Sequence, residues 1–386
     1  MVAKSSLIES EPTVAGARPT PLGYRPSLDG LRAVCVLAVI IFHSTLVFRI
    51  VPYTRLHVMI GGFLGVDGFF VLSGFLITTL LVEEWEFAKE ISLRRFYLRR
   101  ALRLLPALAL MVVVCSVYPV FWAKEGETGP IWLGIFGSLA YCSNILTSMN
   151  ENLHMFVHTW SLSTEEQFYL VWPLALGGML RAGWRRSVIV AVVAFGICAA
   201  AGWRAWLWLD GAGLARVFYA PDTRADALLM GCLLGLLWSW KLLPTAPRWR
   251  LAFRCLAIVA LLYLGFRMTG TIVEMQQLYL GELTLIALAF ALVILELVDR
   301  PSKPFAWALE NRVMVWLGRV SYGLYLWHPP VMYFWRVYGP RHGVEGKINV
   351  LAQAVTLLAV VAASFYLVEQ PCLRLKRKFG ARIKAH

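Results

Sequence analysis

Residues 28–43 read Leu-Asp-Gly-Leu-Arg-Ala-Val-Cys-Val-Leu-Ala-Val-Ile-Ile-Phe-His. Between Arg32 and His43 the run is apolar without a break. A continuous run suits a helix in an apolar medium, whereas a half-exposed strand would alternate. On a helix the step from Arg32 to His43 rises about 16 Å and makes about three turns. The two side chains therefore share a face, with Arg32 at one edge of the apolar layer and His43 deep within it. Asp29 stands one turn before Arg32, within reach of it.

Apolar segments of this kind recur along the chain, at roughly 31–48, 58–82, 102–123, 131–149, 160–180, 187–209, 225–243, 251–266, 278–298, 313–336 and 348–368. No polar linker between them is long enough for a soluble domain. Hydrophobic residues make up 59% of the 386, against about 45–50% in soluble domains, and charged residues 16% against about 25%. Mean hydropathy is +0.64. Such a chain has too little polar surface to cover a soluble fold, and disorder, collagen-like repeats and coiled coil are excluded with it. The expected fold class is all-α, a polytopic bundle of membrane helices.

The chain is nonetheless basic, with 37 Lys and Arg against 23 Asp and Glu. Cations gather in cytoplasmic loops. They cluster here at Lys89–Arg103, at Arg181, Arg185 and Arg186, and in the tail from Arg374 to Lys384. Eleven full crossings would put the middle cluster outside. The conflict vanishes if 131–149, with its polar end Tyr-Cys-Ser-Asn, is a re-entrant or interfacial helix. About ten transmembrane helices with both termini cytoplasmic follow. Residues 1–27 then form a polar cytoplasmic segment without the apolar core of a signal peptide. Residues 28–370 form the membrane domain, and 371–386 a basic cytoplasmic tail. The cations serve topology and attraction to anionic membrane lipids. No basic soluble domain is present, so no nucleic-acid partner is expected.

Seven cysteines without a CxxC pair give no disulfide framework and no metal site. Cys35, Cys115, Cys142, Cys198, Cys232 and Cys255 read as small buried hydrophobes, and Cys372 as a juxtamembrane residue.

Ionisable groups inside apolar segments are costly and mark functional candidates. His43 has the side chain best poised for acid–base work near neutral pH. The second segment, Gly-Gly-Phe-Leu-Gly-Val-Asp-Gly-Phe-Phe-Val-Leu-Ser-Gly-Phe, holds Asp67 and Ser73 between glycines that permit close helix contact. Asp67 there either bonds to a neighbouring helix or enters the chemistry. Arg100 and Arg103, one turn apart, either anchor a surface helix in lipid or grip a phosphate. The fifth segment opens His-Thr-Trp-Ser-Leu-Ser-Thr-Glu-Glu-Gln-Phe-Tyr-Leu-Val-Trp-Pro. Its Glu165 and Glu166 point about 100° apart on a helix, so one faces the bundle and the other a polar neighbour. A carboxylate there either orients His43 or pairs with a buried arginine. His328 precedes Pro329, read as a helix breaker, and is either an interface residue or part of the site. Arg224 and Asp226 are expected to pair at a helix start.

Taken together these runs resemble the acyltransferase 3 family, membrane-embedded O-acyltransferases of sugars and some natural products. The resemblance covers about residues 24–370. It rests on Arg32-x10-His43, on Gly65-Val-Asp67-x-Phe-Phe-x-x-Ser73-Gly and on Arg100-x-x-Arg103. Trp160-Ser-Leu-Ser-Thr-Glu165-Glu166-Gln-Phe-Tyr-Leu-x-x-Pro173 and Ser321-Tyr-x-x-Tyr325-x-x-His328-x-Pro330 complete it. Thr164 departs from the Val or Ile common in the family.

The resemblance implies an acyl-CoA donor, by default acetyl-CoA, entering from the cytoplasm, with no permanently bound cofactor. It implies a hydroxyl acceptor on a carbohydrate such as a cell-envelope polysaccharide or glycolipid, with a macrolide or other natural product as the alternative. His43, Glu165 and Arg32 are the catalytic candidates, and Arg32, Arg100 and Arg103 the CoA-binding ones. Asp29, Asp67, Ser73, Glu166, Tyr325 and His328 are candidates to support the site. The chain ends 16 residues beyond Gln370, so no fused SGNH-type domain is expected. The expected location is the bacterial inner membrane. A small-molecule transporter using Asp67, Glu165 and Arg32 is the rival from another class. It lacks the two related halves usual in transporters.

Overall fold

The computed structural model describes residues 22–44, 59–121, 123–299 and 301–374. The polar segment before residue 22 and the tail beyond Arg374 lie outside the described residues. All regular structure among the described residues is helical.

In chain order the helices are α1 (Pro26–Phe42), α2 (Gly65–Ala88), α3 (Leu93–Phe121), α4 (Thr128–Leu139), α5 (Ser143–Ser148), α6 (Trp160–Arg181), α7 (Arg186–Leu209) and α8 (Leu214–Tyr219). They continue with α9 (Ala225–Ser239), α10 (Pro247–Gly270), α11 (Leu283–Asp299), α12 (Lys303–Leu309), α13 (Arg312–Arg319), α14 (Ser321–Arg341) and α15 (Gly346–Ala363). Six helical stretches, Gly62–Ala88, Leu93–Phe121, Arg186–Leu209, Pro247–Gly270, Leu278–Asp299 and Gly346–Arg374, are long and apolar enough to cross a membrane. The protein is a multi-pass membrane protein. Large side chains such as Phe195, Leu262 and Leu351 are exposed on α7, α10 and α15, as lipid-facing helices require.

Helix packing follows the glycines. A Cβ on Gly74 of α2 would collide with the Leu228 backbone of α9, and one on Gly231 with the Val71 backbone. The two helices therefore touch almost backbone to backbone. Gly318 of α13 similarly admits the Asp29 backbone of α1.

Three sequence expectations need correction. The apolar stretch 131–149 is not one helix but two short ones, α4 and α5, separated by a turn at Ala140–Cys142. Pro329 does not end its helix, since α14 continues through Pro329 and Pro330. Cys198 and Cys255 are exposed rather than buried, because they fall on the outer faces of α7 and α10, and Cys142, at the turn between α4 and α5, is only half-buried.

Candidate functional site

Helix α14 carries the local feature from which the site is built. A proline removes the N–H that would bond the carbonyl four residues back. Pro330 thus leaves the Leu326 carbonyl without its helical partner. His158 occupies that vacancy in the ladder, with Nε2 3.1 Å from the Leu326 oxygen. The carbonyl freed by a helix-internal proline is repaired from another helix. His158 lies in a 3-10 turn, His154–Thr159, that leads into α6. In the sequence His158 is only the first residue of the fifth segment's opening run, with no local feature that marks a role. Its signal was a proline 172 residues away.

His328, two residues before Pro330, is fully buried. Its Nδ1 lies 3.2 Å from the Leu324 carbonyl and its Nε2 3.4 Å from Nδ1 of His43. His43 Nδ1 also lies 2.9 Å from the Val39 carbonyl. A carbonyl only accepts, so each Nδ1 facing one carries the proton. His43 Nδ1–H then lies between the Val39 oxygen and the bare Nε2 of His328. The remaining nitrogen of His43, Nε2, is left with its lone pair, the form that can take a proton from a hydroxyl. Ring centroids separate His43 and His328 by 4.9 Å, and His158 and His328 by 5.5 Å. Tyr325 closes the group. Its hydroxyl donates to the His158 carbonyl at 2.9 Å and lies 2.6 Å from Ser161 Oγ.

The arginines gather toward the end of the bundle where α1 and α14 begin and α3 has its first turns. Arg32 pairs with Asp29 at 3.0 Å, and Asp29 also accepts from the Tyr24 hydroxyl. Arg100 pairs with Glu166 at 2.9 Å and lies 3.3 Å over the Tyr169 ring. Glu165 takes hydrogen bonds from Tyr169 and from Ser73 and feels the charge of Arg100. Arg103 lies close enough to Arg32 and Arg100 for their charges to oppose its own. It remains exposed and makes no ion pair among the described residues, and its charge is felt by the buried Glu369. Three cations thus converge with only two of them neutralised by carboxylates.

Of the residues singled out from the sequence, Arg32, Arg100 and Arg103 come together at one end, with Asp29, Glu166, Glu165 and Ser73 around them. His43 and His328 meet, with Tyr325 beside them. Glu165 does not touch His43 among the described contacts; the group facing His43 is His328. Asp67 belongs to neither group. It pairs with Arg224 at 2.9 Å, both residues being about 1% exposed. Arg204, fully buried on α7, pairs with Asp226 at 2.9 Å and also donates to the Thr223 carbonyl and to Thr284. The expected Arg224–Asp226 pair is therefore not formed. The two residues project from the start of α9 toward different helices, and each finds its partner there. These crossed pairs tie α2, α7, α9 and α11 into one block.

The sequence pattern of a family described as "Acyltransferase domain" matches residues 25–369. The chain is 35% identical over 327 residues to the peptidoglycan O-acetyltransferase OatA of Listeria monocytogenes, covering 80% of this chain and 49% of that protein. It is 30% identical over 370 residues to the O-acetyltransferase OatA of Staphylococcus aureus, covering 90% and 57%. The chain thus spans about half the length of these curated relatives. No solved structure matches it.

Proposed function

This chain belongs to the acyltransferase domain family, and from that premise we propose that it is a membrane O-acyltransferase that moves an acetyl group from acetyl-CoA to a hydroxyl of a cell-envelope carbohydrate. The named activities of its relatives favour peptidoglycan as that carbohydrate. The observation that carries the reading is the pairing of two settings on α1. Arg32 belongs to an incompletely neutralised arginine group, and His43, three turns on, keeps an imidazole nitrogen with a lone pair.

In this reading the CoA phosphates meet Arg32, Arg100 and Arg103, of which Arg103 has no ion pair among the described residues to give up. The thioester reaches toward His43. His43 Nε2 takes the proton of the acceptor hydroxyl as its oxygen attacks the thioester carbonyl. The new C–O bond forms, the C–S bond breaks, and the imidazolium returns its proton to the departing thiolate. His328 acts as a positioning residue, holding the His43 proton on Nδ1 so that Nε2 stays basic. Glu165, with Ser73 and Tyr169, holds Arg100 in place.

The six long apolar stretches are joined as crossings by α1, α6, α9 and α14, giving ten, with α4 and α5 entering and leaving on one side. The arginine end faces the cytoplasm, as do both termini. Residues 28–370 constitute the acyltransferase domain, flanked by 1–27 and the basic 371–386.

Membranes holding the full chain, supplied with acetyl-labelled CoA and a peptidoglycan glycan fragment, test this. Label should pass to the glycan, and His43→Ala should cut the rate by about 10²–10⁴-fold, the usual worth of a general base. Full transfer by a folded, inserted His43→Ala protein would sink the assignment.

A further inference from the structure

A second polar group lies beyond the histidines, on the side away from the arginines. Tyr333 follows His328 on α14 by about 7.5 Å of helix rise, and Tyr118 stands near the far end of α3, about 22 Å along it from Arg103. Between these helices the loop after α3 supplies Glu127. Tyr118 and Tyr333 each donate to its carboxylate, at 3.3 and 3.2 Å, and the Lys124 N–H donates at 3.1 Å. The two phenol oxygens are also 3.2 Å apart. His154, at the start of the turn that carries His158, sets its ring 4.5 Å from that of Tyr333.

Counting protons shows what this group lacks. Three oxygen–oxygen contacts join Tyr118, Tyr333 and Glu127, but the phenols supply only two protons. If both go to the carboxylate, the phenol–phenol contact has none. Glu127 stays acceptor-only. Burial pushes its carboxyl up, but the Lys124 N–H and the two phenols outweigh that and hold it below its ordinary value. It has no ion pair among the described residues. His154 adds a further vacancy, since its Nδ1 is buried with no hydrogen-bond partner. His154 is held with φ +50°, while Asn152 caps its N–H at 2.8 Å. A non-glycine residue kept in that left-handed conformation is costly and persists where its surroundings impose it. The group is rich in acceptors and short of donors, carries aromatic rings, and is only partly buried.

We propose that Tyr118, Glu127, His154 and Tyr333 form the subsite that receives a hydroxyl-rich acceptor, a sugar, on the far side of the histidines from the arginines. Sugars bring the missing donors, and their C–H faces pack on tyrosine and imidazole rings. The subsite rests on the acyl-transfer reading, in which the acceptor must approach His43 from the face opposite the donor. Tyr333 and His328 share one helix, so a sugar held at Tyr333 has its hydroxyls about one and a half turns from the reacting group.

The full chain in lipid nanodiscs, titrated calorimetrically with N-acetylglucosamine tetrasaccharide, tests the subsite directly. The native protein should bind. Glu127→Gln and Tyr333→Phe should weaken binding at least tenfold while Arg103→Ala binds as the native protein does. Tyr118→Phe, which removes a single hydroxyl, is the milder variant if either of the others fails to elute as folded protein. In parallel, transfer from labelled acetyl-CoA to the tetrasaccharide should show a raised acceptor KM with kcat and donor KM little changed. No binding by the native protein, or equal affinity in the folded variants, overturns the subsite. Binding lost in the variants as expected, but with no acyl transfer by the native protein, supports the subsite and overturns the acyl-transfer reading instead.

Discussion

Arginines occur in two settings in this bundle. Arg204 and Arg224 are sealed, 0% and 1% exposed, each against a carboxylate at 2.9 Å. Arg32, Arg100 and Arg103 keep some access to solvent, and the last makes no ion pair among the described residues. The chemical group is the same, so position within an apolar segment does not by itself mark function. Pairing and access separate the two. The sealed pairs link four helices and have no charge to spare. The accessible group has cationic charge left over, which is what an anionic ligand requires.

The comparison can be broken most sharply at the sealed side. Arg224→Ala leaves Asp67 as a lone buried charge, a loss of about 3–5 kcal/mol. Little folded protein should then survive extraction, as read by thermal unfolding in detergent; a native-like transition would show that the sealed pair is dispensable. At the accessible side, Arg103→Ala should change that transition little, because it breaks no ion pair among the described residues and only withdraws a charge felt by Glu369. It should instead raise the KM for acetyl-CoA by about 10–100-fold, the worth of one charge-assisted contact of about 1.5–3 kcal/mol. Arg100→Ala lies between the two settings. It strands Glu166 and uncovers Tyr169, so both the unfolding temperature and the donor KM should move. Tyr169→Phe removes one hydroxyl, hydrogen-bonded to Glu165 and Ser73, and should cost about 1 kcal/mol of stability, measured in the same unfolding assay. A donor KM altered as much by Tyr169→Phe as by Arg103→Ala would erase the distinction.

Much of this was legible in the sequence, for reasons tied to local spacing. The unbroken run from Arg32 to His43 sets the helix and the shared face, and the glycines of α2 announce a close neighbour. What could not be read required knowing which helices adjoin. Arg224 stands two residues from Asp226, yet bonds to Asp67 across 157 positions. His158 gains its role from a carbonyl released by Pro330, and a double proline looks like the end of a helix until another chain segment repairs the ladder. On chemical grounds a carboxylate at Glu165 suits either His43 or a buried arginine, and only the packing of α6 sets it against Ser73 and Arg100. Glu127 sits in a loop with no motif around it, and only the approach of α3 to α14 gives it meaning.

The backbone carbonyls that face the three histidines have a consequence for the membrane's electrical integrity. Imidazoles set close together within a bilayer are the material of a proton relay. A relay must reset, each ring exchanging the nitrogen that holds its proton. Here Val39 and Leu324 hold the Nδ1 protons of His43 and His328, so a reset at either ring must break a buried hydrogen bond, while His158 has a carbonyl at each nitrogen, Met155 and Leu326, and keeps its proton against one or the other. In the proposed reaction such a row would lend and recover one proton at His43 without conducting a stream of them. Sealed vesicles carrying the protein and a pH-sensitive dye should accordingly show no proton entry above that of the lipid alone.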